Sequence, residues 1–451
     1  MGDPAGGRAS GVALRRPRVA LVEPYWDFWE SSVPFDLRAD RAVLARGARA
    51  ALDLEWVEPD RADAALVLQT MATPPARTLP ELGTLPVVVW AAHRPGGFPE
   101  GFDHGAITSD GATVGAPMLT SLLVRAGRPF ELVLGRIDDR STQRAVARAL
   151  TAAAAATRLS RARIGRVGRP LDGYECVDTD DALLRRRTGI ELVPIEPAEV
   201  RELYLAVGDA RVRELERETR VDYDVALEGD GLERSLRAAC AIEDLVARHR
   251  LDAGAMNCHV PEIRFGEEIG ITPCMGLGRS TSRGVPWTCV GDVLTAVAML
   301  TTKLLGGAAQ YHELEAVDYA TGDLVLASSG EYDLRLAPGV RPSLVRNGWF
   351  ASDPRAGACA CFSPDAGPAT LVGFAQVGQA YRLIAAEGSF SGRRFPATGT
   401  ANGGFRFTRG LEGWTEWCRM GANHHSSASP GALAPAICAL GRYLGVDTVV
   451  V

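Results

Sequence analysis

The chain has 451 residues, a formal net charge of −6 and 23% charged residues. That length suggests about three domains at roughly 150 residues each, and the slightly acidic balance excludes the basic surface that nucleic-acid binding needs. No apolar run approaches the ~20 residues that span a bilayer, so a membrane partner is not expected. Residues 1–16 (MGDPAGGRASGVALRR) lack the apolar core of a signal peptide and read as a disordered leader. The nine cysteines contain no C-x-x-C pair, which points to a reducing, cytoplasmic setting without disulfides or a zinc ribbon.

From Arg18 to Val22 the chain predicts a short apolar strand, followed by Glu23–Pro24 and YWDFWE, four aromatics within five residues. Ligands of open α/β sheets sit beyond the carboxyl ends of strands. Trp26 and Trp29 are therefore candidates for a pocket wall that stacks on a sugar-like ligand, the alternatives being a packed loop or a subunit interface. Ala42 to Leu52 reads as helix. Ala64 to Gln69 and Leu85 to Trp90 are nearly continuous apolar runs, the pattern of parallel strands covered on both faces. Gln69 and His93 follow two of these strands and are candidates either for ligand contact or for capping a loop. Phe130 to Leu134 adds a strand, and Gln143 to Leu159 a long Ala-rich helix.

A second α/β unit begins at Arg163. Its RIGRVG is not a G-x-G-x-x-G, so neither NAD nor a nucleotide is expected. Asp181 to Thr188 predicts a helix, Ile190 to Ile195 a strand, and Gly231 to His249 a helix. Ala255 to Val260 predicts a strand ending at Cys258 and His259, which makes His259 a candidate ligand contact. Gly276 to Cys289 reads as a polar loop. Asp292 then opens a helix with apolar positions Val293, Val297, Leu300 and Leu304, where it serves as a natural N-cap.

Gly306–Gly307 stops that helix, and a hairpin follows with its turn at Ala320 to Asp323 and its return strand from Leu324. Period two puts Glu313 and Glu315 on one face of the outgoing strand. Two carboxylates on one face suit a solvated surface, or a metal or acid/base site. From Glu331 onward, short strands with Gly and Pro punctuation suggest an antiparallel barrel or sandwich. The last helix is expected near Pro430 with Ser429 as its cap, and His424–His425 as a polar lead-in or a ligand pair. VDTVVV closes the chain as a strand.

This order of helix, Gly-Gly, acidic strand, DLVL return strand and Ser328–Ser329–Gly330 resembles the C-terminal half of the L-fucose/L-arabinose isomerase superfamily. The resemblance continues through Gly367 to Gly388 (GPATLVGFAQVGQAYRLIAAEG), Gly421 to Leu433 (GANHHSSASPGAL) and Arg163 to Ile195. It covers most of the chain as a pattern of segments. It implies two doubly wound, Rossmann-like α/β domains (17–160 and 161–305) followed by a mostly antiparallel β domain with a terminal helix (306–451). It also implies interconversion of aldoses and ketoses on a divalent cation, usually Mn2+, in a homo-oligomer, a trimer or hexamer, whose sites a neighbouring subunit completes.

Carried over residue by residue, the strand acid of that family matches Glu313 and its C-terminal His matches His425, with Asp292 as the acid of the family's E-x-D. The Glu of that E-x-D matches Val290, which can neither bind metal nor carry a proton. A His of the arabinose type is replaced at Ser328–Ser329. The expected catalytic residues are Glu313, His425 and Asp292. The metal would rest on Glu313 and His425, with Glu331, Glu315, Asp292 or His259 to compensate. His424, Trp26, Trp29, Glu331, His259 and Gln69 are the expected substrate contacts. Three readings stay open: a sugar isomerase with a rearranged ligand set, a metal-independent epimerase, lyase or hydrolase of specialised metabolism acting on a small polyhydroxylated substrate, and a non-catalytic relative.

Overall fold

A computed structural model describes residues 15–94, 97 and 100–451. The leader expected at the N-terminus falls on residues 1–14, outside the described residues. Two compact units are present, Arg16–Arg158 with Cys438–Gly445, and Leu159–Ile437 with Val446–Val451. Among the described residues no helix is long and apolar enough to cross a membrane.

In the first unit five parallel strands line up in the order Glu55–Trp56, Arg18–Val22, Ala64–Gln69, Val87–His93 and Phe130–Arg136. The run AALVLQ shows why a continuous apolar segment makes a central strand. Ala64, Leu66 and Leu68 pack into one core with Trp90 and Leu150, while Ala65 and Val67 pack into another with Leu82 and Leu119. Successive side chains point to opposite faces, so a strand buried on both sides must be apolar throughout.

The second unit carries a four-stranded parallel sheet in the order Trp287–Thr288, Ala253–Met256, Arg163–Val167 and Glu191–Ile195. It also carries a seven-stranded sheet that closes on itself. Gly367–Val377, His425–Pro430, Gln310–Asp318, Asp323–Ala327, Asn402–Phe407 and Ala380–Phe390 pair antiparallel in that order, and the last pairs back with the first. Asp447–Val450 adds a parallel strand outside Ala380–Phe390. The fold is thus mixed α/β with two parallel sheets and one mostly antiparallel sheet, closed as a barrel.

Three local expectations are corrected. The strand expected through Val260 ends at Met256, so His259 lies in the following loop. The polar loop expected from Gly276 is instead the buried helix Cys274–Ser282. Its polarity is satisfied far away in the chain, since Arg279 pairs with Glu218 and Glu243. A side chain on Gly278 would meet the Tyr332 ring at 2.3 Å, so close packing against that ring fixes the glycine. Finally, His425–Pro430 is a strand and the last helix is Ala434–Leu444. Ser429 is therefore a ladder residue, and the Leu433 backbone N–H is taken by the Thr370 hydroxyl at 3.0 Å.

Candidate functional site

The chain reverses between Thr288 and the helix Val293–Leu304 through two consecutive left-handed residues, Val290 (φ 48°) and Gly291 (φ 78°). That reversal aims Asp292 inward. One of its carboxylate oxygens accepts the Thr295 backbone N–H at 2.7 Å, the N-cap expected from sequence. The other lies 2.7 Å from His425 Nδ1. Asp292 is 0% exposed and His425 2%. A carboxylate accepting from Nδ1–H fixes the ring and leaves the lone pair on Nε2.

The barrel register does the rest. Glu313 on Gln310–Asp318 stands opposite His425 on the neighbouring strand. His424, just before that strand, holds the Leu314 N–H through its carbonyl at 2.8 Å. Ligand atoms of Glu313, His424 and His425 all lie within 4.8 Å of one another. The Ser329 hydroxyl donates to the Glu313 carboxylate. The Tyr311 ring is 5.0 Å from that of His425, and Tyr174 approaches both histidines, at 6.0 and 6.4 Å.

Electrostatics separate these groups. Burial pushes the His424 imidazole down to about 4, and His425 beside it pushes the same way, so His424 is neutral at pH 7. Burial opposes charge on His425 too, but the hydrogen bond that its Nδ1–H donates to Asp292 and the charge of that carboxylate outweigh this and raise it overall. Glu315 sits at the exposed rim, where a register shift between Leu314 and Ala316 interrupts the ladder. Partial loss of water and then the Glu313 charge push its carboxyl up to about 7. Glu331 is 1% exposed, and neither of its oxygens makes a hydrogen bond of good geometry with a described residue. Burial, joined by Glu313, raises it to about 7.

The remaining expected contacts have partners of their own. His259 Nδ1 meets the Arg264 guanidinium at 2.9 Å, and its ring lies 5.7 Å from Phe350. Trp26, Trp29 and Gln69 belong to the N-terminal unit. There Trp26 stacks on Phe28 at 4.7 Å, the Trp29 indole N–H is held by the Ala72 carbonyl at 3.0 Å, and buried Gln69 donates to the Met71 carbonyl at 2.5 Å. Tyr174 and Tyr311 were not expected at the site. Tyr174 lies in the loop beyond the carboxyl end of the parallel strand Arg163–Val167, a position where ligands collect in α/β sheets.

No protein-family model matches the chain. It aligns at 23% identity over 368 residues with a sulfoquinovose isomerase of Priestia aryabhattai, covering 80% of this chain and 79% of the relative. A sulfoquinovose isomerase of Priestia megaterium aligns equally well. An L-arabinose isomerase of Nocardioides sp. is 25% identical over 345 residues, 73% of this chain and 68% of the relative. These similarities, at low identity, support a distant place in the sugar isomerase superfamily. The resemblance read from its segments therefore holds.

At the position where that superfamily resemblance expects a carboxylate, Val290 is buried with Cys289, Met299, Ala309 and Tyr311, and Leu171 and Tyr174 pack against the group. A β-branched residue at positive φ is strained by about 1–3 kcal/mol.

Proposed function

We propose that the chain is a sugar isomerase that moves a proton between adjacent carbons of a small aldose or ketose, on a divalent cation held by Glu313, His424 and His425. The observation that carries this reading is the Glu313–His424–His425 cluster backed by Asp292. One carboxylate and two imidazoles suit a borderline cation such as Mn2+. A carboxylate behind a ligand imidazole is the usual support for such a donor, and a neutral His424 has a lone pair to offer. A cation bound there would polarise the substrate's adjacent oxygens.

The chain's own residues supply the proton chemistry. Glu313 takes the proton from carbon, with the Ser329 hydroxyl holding its carboxylate in place. Glu315 at the rim, raised to about 7, exchanges its proton readily at neutral pH and serves as the second acid/base group. His425 keeps its orientation through Asp292. Tyr174 and Tyr311 line the histidines and reduce water around them. The relatives' names suggest L-arabinose and sulfoquinovose as first substrates to test. A trimer or hexamer belongs to the same proposal.

Metal analysis of protein purified without chelator, with aldose-to-ketose conversion assayed before and after chelation, tests it. About one divalent ion per chain and activity lost on chelation are expected. A second reading is favoured by Val290, which removes one anionic donor: proton transfer without a resident cation. Metal-free protein that still isomerises would establish that reading and reject the first.

Residue 290 itself gives a further expectation. Because its side chain packs with Tyr311, which neighbours His425, Val290→Glu should return a carboxylate toward the site and tighten Mn2+ at least tenfold, measured by calorimetric titration. Unchanged or weaker binding would show that the corner no longer aims residue 290 at the cation.

A further inference from the structure

The loop that carries Ser329 to Glu313 is also tied to an aromatic side chain with no assigned role. Trp349 lies in the short turn Gly348–Phe350 and is 50% exposed. Its indole N–H donates to the Ser328 carbonyl at 2.9 Å. Asn347, fully buried, donates to the Ser329 carbonyl at 2.6 Å and accepts the Trp349 backbone N–H at 3.0 Å. Both peptide carbonyls of the Ser328–Ser329 pair are thus gripped by the turn that bears the indole.

The turn is fixed from its other sides as well. A Cβ on Gly348 would fall 1.9 Å from the Thr398 carbonyl oxygen, so backbone packs directly on backbone there. The neighbouring Phe350 ring lies under the Arg264 guanidinium, 3.7 Å from its centroid. Single exposed aromatics are ordinary on protein surfaces, and exposure alone would mean little. Here the exposed indole is held rigidly by its own N–H, and no other aromatic ring among the described residues stacks on it. Its partner Ser328 is also the residue next to Ser329, whose hydroxyl touches Glu313.

We infer that Trp349 is the stacking platform of the substrate site, receiving the apolar C–H face of a sugar whose hydroxyls turn toward Glu313, His424 and His425. The inference rests on the sugar-isomerase reading above and adds the residue that selects ring face and shape. A rigid, pre-oriented indole loses little conformational freedom on binding and offers a broad apolar surface. Hydroxyls meet the polar groups, C–H bonds meet the ring, and a flat, ring-closed aldose is favoured over an extended polyol.

The test uses the full chain with Mn2+ present and a panel of L-arabinose, L-fucose and sulfoquinovose, with L-arabinitol as the open-chain control. Affinity is read by calorimetry and by intrinsic fluorescence, in the natural chain and in Trp349→Phe and Trp349→Leu. At least one sugar of the panel is expected to bind the natural chain and change its fluorescence. Trp349→Phe should keep affinity within about threefold while losing most of the fluorescence change, and Trp349→Leu should bind at least tenfold more weakly with an unaltered circular dichroism spectrum and melting temperature. Equal affinity in natural chain and Trp349→Leu would overturn the platform and leave the isomerase reading standing. Failure of every panel sugar to bind the natural chain would overturn both. A Trp349→Leu chain that misfolds leaves Trp349→Phe to decide, because a retained fluorescence change there places the bound sugar away from residue 349 and rejects the inference.

Discussion

Replacing Glu313 with glutamine is expected to lower turnover by about 10²–10⁴-fold while leaving the fold intact. The substitution removes the proposed proton acceptor and the only carboxylate of the Glu313–His424–His425 cluster, yet it hardly changes shape. Glutamine Oε1 still accepts from the Ser329 hydroxyl. The backbone of residue 313 keeps its ladder positions opposite His425 and Ala327. Melting temperature and circular dichroism should therefore match the natural chain, and the loss should appear in kcat rather than in the amount of folded protein. Substantial turnover in Glu313→Gln would remove Glu313 from the chemistry and shift the assignment to Glu315 or Glu331.

Asp292 separates two roles that one side chain performs together. Asp292→Ala should lower stability by about 2–4 kcal/mol, from the loss of a helix cap and from the buried His425 Nδ1 left without a partner. Asp292→Asn keeps a good cap, so most of that stability should return. Its amide, however, can donate to Nδ1 and favour the tautomer that carries a proton on Nε2, which would then have no lone pair for a cation. Cation affinity should fall about 10–100-fold in Asp292→Asn. Calorimetric Mn2+ titration beside a thermal melt distinguishes the two effects. If Asp292→Asn held Mn2+ and turned over as the natural chain does, the support role of Asp292 would be wrong.

What was legible in the sequence follows from the range of the forces involved. The Asp292 cap is a local signal, an acid directly ahead of an apolar helical stripe, and it appears where expected. The parallel strands announce themselves because burial on both faces forces unbroken apolar runs such as AALVLQ. The helix Cys274–Ser282 was hidden because its buried Arg279 is neutralised by Glu218 and Glu243 from distant segments, which no local pattern records. Glu315 reaches the rim beside a register shift that depends on the partner strand. For His424 a polar lead-in, a ligand pair and a substrate contact all stayed open, since adjacency to His425 does not show that both rings turn toward Glu313. Tyr174 and Tyr311 lie inside segments that carry the resemblance and Trp349 outside them, but none is singled out by spacing, and only the folded chain reveals their neighbours.

The closed barrel also bears on the order in which the molecule comes into being. Asp292 and His425 are 133 residues apart in the chain, and nearly all of the antiparallel strands lie between them. Helices and the hairpin around Thr321 need only local chain and can form early. The Asp292–His425 bond needs the ring of strands to shut, a step with a large loop-closure entropy and high contact order. A chain arrested before closure would hold much of its secondary structure and none of its chemistry. The proposed cation site would therefore be a late product of folding, its two halves separate until the last strands find their register.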